Sequence, residues 1–349
     1  MKQGFLGVQA LRGLGALMVV VFHTTFMMHY RLDENFSILG PGAAGVDLFF
    51  AISGFIMVVA TRDMWGKADT AWPFFARRLM RIVPLYWIMT TVKFLQLHIS
   101  HPEMLTNWNT VASYLFIPAW NFEHRIFPML LQGWTLSFEM LFYGLIALCF
   151  FFKKAPVWPL SILFAVLGII GCLVLPSSYA VVSLLDQRLI EFGFGMLIAR
   201  AMLAEHIMPK TLATLLIPLC LVAVFATGLW ASAYDYRLLL WGIPMALLLA
   251  AVVAREDAAL WRLPLVQLLG DASYAIYLTH DYAISVVRVA LQKLHLSGLL
   301  AYVFGISTAI IISCIVGIIV HKFIEKPITR WLHQRFHLRH SKITKPAGL

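Results

Sequence analysis

Polar side chains are rare enough along this chain that the apolar runs between them can be read directly. Ten such runs have about the length needed to cross a bilayer, at approximately 6–28, 43–61, 80–98, 127–152, 157–175, 185–203, 211–230, 236–254, 269–291 and 298–321. The pattern therefore predicts an all-α, polytopic membrane protein of about ten transmembrane helices. Residues 1–328 form one transmembrane domain and 329–349 a basic tail. The first run carries Arg12 and His23 and is followed by bulky Phe26, Met27 and Met28. It reads as an uncleaved spanning helix.

Charge orients these runs. The ends holding Lys2, Arg62–Arg81, Lys153 and Lys154, Arg200 and Lys210, Arg255 and Arg262, and Lys322 onward alternate with ends holding Arg31, Arg125, Arg188, Arg237, Arg288 and Lys293. The first set is about three times richer in Lys and Arg, which predicts that both termini are cytoplasmic. Composition agrees: 61% of residues are hydrophobic and 13% charged, with a net charge of +10. The basic residues cluster in short loops beside apolar runs, which fits anionic headgroups and excludes a nucleic-acid surface. Cys149, Cys172, Cys220 and Cys314 lie unpaired in apolar segments. They imply neither a disulfide framework nor a metal site.

The polar residues inside the runs are the candidate chemistry. Arg12 and His23 are eleven residues apart, so they return to nearly the same helical face, roughly 16 Å apart along the axis. A charge there costs at least ~2.5–3.5 kcal/mol on insertion scales, so that face must meet something polar. Alternatively Arg12 snorkels to the interface and His23 is a satisfied core histidine. In the second run Asp47 sits about one turn from the outer end, either as a site carboxylate or as an interfacial one. Arg78 and Arg81 share a face where the third run begins. They suit the phosphates of a cytosolic cofactor, or anchoring to headgroups.

Trp134, Ser137 and Glu139 open the fourth run. Glu139 falls at the depth of His23 and would orient its imidazole, as in acyl-transfer sites. Ser137 either assists an oxyanion or bonds its own backbone. Tyr277 and His280 share a broad face of the ninth run with Ser273. The outer connection at 99–126, with Trp108, Asn109, Trp120 and Asn121, reads as a sugar-binding rim or an aromatic belt. The tail, with Arg330, His333, Arg335, His337, Arg339 and His340, reads as facing headgroups rather than binding metal.

These stretches together resemble the membrane-bound acyltransferase family 3, in its branch of exopolysaccharide and surface-polysaccharide O-acetyltransferases. The resemblance rests on the Arg12-to-His23 spacing, Gly45-Val46-Asp47-Leu48-Phe49-Phe50-Ala51-Ile52-Ser53-Gly54-Phe55, Arg78-Leu79-Met80-Arg81-Ile82-Val83-Pro84-Leu85-Tyr86, Trp134-Thr135-Leu136-Ser137-Phe138-Glu139, Ser273-Tyr274 to His280, and Glu325-Lys326-Pro327, in the family's order. Between about 153 and 260 it is only hydropathic. It implies acyl-CoA, most often acetyl-CoA, as donor and a saccharide hydroxyl as acceptor, in a bacterial cytoplasmic (inner) membrane. His23 would match the catalytic histidine, and Arg12, Arg78 and Arg81 the required basic positions. Glu139 would act with His23, and Asp47, Trp134, Ser137, Tyr277 and His280 would line the acceptor's approach. No metal is expected; the expected partners are acyl-CoA, the saccharide, the bilayer and a polysaccharide assembly machinery. The alternatives are a proton-coupled transporter of a polysaccharide unit or small anion, and a non-catalytic partner of a polysaccharide synthase.

Overall fold

The computed structural model describes residues 4–173, 180–229 and 234–336, and these are all-helical. Twelve α-helices are present among them: α1 (Leu6–Arg31), α2 (Ala44–Thr61), α3 (Ala71–Ser100), α4 (Asn107–Tyr114), α5 (Gly133–Leu148), α6 (Val157–Leu173), α7 (Arg188–Leu203), α8 (Lys210–Ala226), α9 (Ile243–Ala254), α10 (Pro264–Leu294), α11 (Gly298–Val320) and α12 (Lys326–Arg335). Each of the ten expected runs contains one of these helices. Five stretches, built on α1, α2, α3, α5 and α11, are long and apolar enough to cross a membrane, and α6, α8 and α9 with its leading turn are shorter apolar helices.

The described residues divide into two units. The first holds α1, the start of α2 to Ile52, and α8–α11. Its helices approach closely at small residues. A Cβ on Gly45 would meet the carbonyl of Gly15, and one on Gly270 the carbonyl of Gln9. Small residues let helix backbones meet where burial of apolar surface from water cannot drive association. Around these contacts Ala16, Val20, Met28, Ile276 and Val287 form a buried core. The N-terminus of α1 is closed from afar: the Glu256 carboxylate accepts from the amides of Gly7 (3.0 Å) and Val8 (3.2 Å). That satisfies two orphan donors and sets a negative charge at the positive end of the helix dipole.

The second unit holds α2 from Ser53, α3–α7 and α12. Phe142 of α5 packs on Phe192 of α7 (ring centroids 4.3 Å apart) and on Phe164 of α6 (5.5 Å). Gly54 admits the α7 backbone at Phe192.

One expectation is corrected here. The fourth run does not begin its helix at 127, because Pro128 has no N–H to give a helical ladder and the neighbouring backbone bonds elsewhere. The Phe127 carbonyl accepts from Asn109 Nδ2 (2.9 Å), and the Met129 amide donates to Ser113 Oγ (2.9 Å). In the outer connection α3 runs on to Ser100 and α4 occupies part of the remainder. Its amides hold the connection itself: Asn109 also bonds Ala119, and Asn121 Oδ1 accepts from the amides of Glu123 and Arg125. Trp108 is exposed. The four cysteines are free. In the tail, Arg330, His333 and Arg335 lie on α12, while His337, Arg339 and His340 lie outside the described residues.

Candidate active site

In the first unit α1 and α10 run side by side in the same direction. At one end Arg12 donates to Gln9 Oε1 (3.2 Å), and Gln9 Nε2 donates to Asp271 Oδ1 (2.5 Å). At the other end the His23 ring lies 5.0 Å, centroid to centroid, from that of His280. The polar face expected of the first helix is thus met by polar groups of α10 at both ends.

His280 is fully buried and His23 half-buried. His280 Nδ1 lies 2.7 Å from the carbonyl of Tyr277. A carbonyl only accepts, so Nδ1 carries a proton, and a neutral His280 turns its Nε2 lone pair the other way. That Nε2 faces Asp281 Oδ1 at 3.5 Å. One ligand atom from each of His23, His280 and Asp281 lies within 4.8 Å of the others. Such a set can hold a proton, accept from a substrate hydroxyl or coordinate a cation, so the expectation of no metal meets a trio with ligand-like spacing. The Tyr277 ring flanks His280 (6.0 Å) and Phe49 (5.9 Å).

Asp47 is fully buried, with both carboxylate oxygens facing Arg237. Arg237 Nε donates to Oδ1 (2.8 Å) and Nη2 to Oδ2 (2.5 Å). The same guanidinium bonds the Ala43 carbonyl (3.0 Å) and lies over Trp241 (5.0 Å). The expected acceptor-facing carboxylate is therefore one half of a bidentate pair whose partner stands 190 positions along the chain.

A second cluster lies within the second unit. Glu139 on α5 accepts from Ser53 Oγ of α2 (2.9 Å) and from the Tyr143 hydroxyl one turn on (2.5 Å). The Arg78 guanidinium of α3 lies over the rings of Tyr143 (5.9 Å) and Phe74 (5.6 Å). Arg81 stands three residues further along α3, half-buried. Trp134 and Ser137 line a cavity near the start of α5, and Arg188 lies over the Trp134 ring (4.7 Å). Sequence reasoning did not single out Ser53, Tyr143, Arg188 or Arg237 as site members. Their one signal was an ionisable or hydroxyl group within an apolar run.

Residues 5–318 match the family described as an acyltransferase domain, the third acyltransferase family by its designation. The chain belongs to acyltransferase family 3. It is 35% identical to the exopolysaccharide production protein ExoZ of Rhizobium meliloti over 83% of this chain and 90% of that protein. It is 28% identical to the peptidoglycan O-acetyltransferase OatA of Listeria monocytogenes, over 39% of this chain and 22% of OatA. It is 24% identical to the putative peptidoglycan O-acetyltransferase YrhL of Bacillus subtilis, over 92% of this chain and 54% of YrhL. The chain thus spans about half of YrhL and a fifth of OatA. No solved structure matches it.

Proposed function

We propose that this protein is a multi-pass O-acyltransferase of a bacterial inner membrane, with both termini cytoplasmic. It transfers an acyl group, acetyl in the first instance, from acyl-CoA to a hydroxyl of an exopolysaccharide or its lipid-linked precursor. The acceptor class comes from the names of the relatives, ExoZ above all. The chemistry rests on one observation: a half-buried imidazole, His23, beside a buried histidine and a carboxylate on the neighbouring helix.

In this reading His23 takes the proton of the acceptor hydroxyl as its oxygen attacks the thioester carbonyl. The C–S bond breaks, and the proton passes to the departing thiolate. In a close variant His23 is itself acylated first. Asp281, through His280, takes the orienting part that the sequence reading gave to Glu139. Glu139 in turn holds Tyr143 and the arginine above it. Arg78 and Arg81 are the proposed contacts of the donor's phosphates, with Arg12 a further basic contact along the donor. Tyr277 and His280 face the reacting hydroxyl, Trp134 and Ser137 serve the acceptor, and Asp47 supports the helix through Arg237. Polysaccharide assembly proteins are the expected partners.

The test is acetyl-CoA consumption by protein in nanodiscs, with and without the polysaccharide of the host. The proposal expects thiol release that depends on polysaccharide and is lost in His23→Ala. Release that ignores the acceptor, or survives in the variant, contradicts it.

A further inference from the structure

The second unit contains a cavity of about 180 Å³, lined in part by Trp134 and Ser137, the two residues proposed to serve the acceptor. Its wall is mixed. Tyr86, Phe127, Pro128 and Phe138 supply flat apolar faces, and Ser137, Asp186 and Arg188 supply polar groups. The polar groups are ordered by one another. Arg188 Nη1 bonds Asp186 Oδ2 at 2.6 Å, and the Arg188 backbone amide donates to Asp186 Oδ1 at 2.9 Å. The guanidinium carbon lies over the Trp134 ring, 4.7 Å from its centroid. What remains is Arg188 Nε, buried and without a hydrogen-bond partner among the described residues.

Nε itself is enclosed; the polar wall of the cavity is the rest of the Arg188–Asp186 pair with Ser137, and an occupant that leaves such groups unpaired costs about 1–3 kcal/mol for each. Three kinds of occupant can be compared. An acyl chain would cover the apolar faces but leave the polar side, Ser137, Asp186 and Arg188, desolvated without a partner in the cavity. An anionic sugar would bring a second negative charge to an arginine whose charge Asp186 already balances. A neutral pyranose offers hydroxyls that both accept and donate, with flat C–H faces for the aromatic walls. The cavity is well below the size of drug-sized sites, which suits one ring rather than a chain of them.

We propose that this cavity is a subsite for one neutral pyranose ring of the acceptor, with Arg188, Asp186 and Ser137 reading its hydroxyls. The proposal deepens the O-acyltransferase reading and rests on it for the identity of the acceptor.

The experiment uses the full chain in nanodiscs and saturation-transfer NMR with the methyl glycosides of glucose, galactose, mannose and glucuronic acid. Acetyl-CoA binding is measured on the same samples. At least one neutral glycoside should take up saturation, with the glucuronide several-fold weaker. Arg188→Met and Ser137→Leu, the latter filling the cavity, should each weaken the neutral signal about tenfold, the loss of one or two hydrogen bonds. Acetyl-CoA binding should be unchanged in both. Either variant that elutes as the wild type is sufficient for the test. No neutral glycoside bound, the glucuronide preferred, or an unchanged signal in a folded variant overturns the subsite. Wild-type protein that binds a glycoside but not acetyl-CoA overturns the transferase reading and leaves the sugar subsite standing.

Discussion

The two carboxylates of the candidate clusters, Asp281 in the first unit and Glu139 in the second, have different surroundings. Glu139 has a donor on each oxygen, from Ser53 and Tyr143, and an arginine over the tyrosine ring. Asp281 stands 3.5 Å from His280 Nε2, and its side chain is 39% exposed. A part-buried hydrogen-bonded network fixes positions; a partly exposed carboxylate beside an imidazole is open to a proton or a hydroxyl. Under the proposed function the difference says where chemistry and binding divide: proton transfer is assigned to the His23 trio and placement to the α3–α5 cluster.

Asp281→Asn should break the comparison most severely. With the positioning carboxylate gone from the trio, kcat should fall on the order of 10–100-fold with little change in KM for acetyl-CoA, and its pH profile should shift. A KM effect alone would place Asp281 outside the proton path. Arg78→Lys should act on the other side, raising the KM for acetyl-CoA about tenfold with kcat largely kept, since a point charge replaces a planar fork. Titration of acetyl-CoA concentration separates the two. The smallest effect expected is none. Transfer should survive chelation by EDTA, and elemental analysis of purified protein should show no stoichiometric metal, although the three side chains have ligand-like spacing. Loss of activity on chelation, restored by one metal, would recast the trio as a metal site.

The helices were largely legible because each apolar run is long and bounded by charge. Arg12 and His23 stood out because a polar pair on one face of an apolar helix needs partners. The partners themselves were not legible. His280 is 257 positions from His23, Arg237 is 190 from Asp47 and Glu139 is 86 from Ser53, and no local period carries such pairings. Depth alone suggested Glu139 as the partner of His23 in the sequence reading; within the first unit the structure puts His280 and Asp281 beside His23. The start of α5 was misplaced for a local reason: Phe127 and Met129 are apolar enough to extend a run, but Pro128 and the side chains of α4 take their backbone out of the helix.

The central claim is that His23 performs the transfer. Its most direct measurement is the O-acetyl content of the surface polysaccharide by proton NMR, in cells carrying wild-type protein or His23→Ala at equal membrane abundance. The account predicts acetyl signals in the first and none above the level of cells without the protein in the second. Equal acetylation in the two would contradict it.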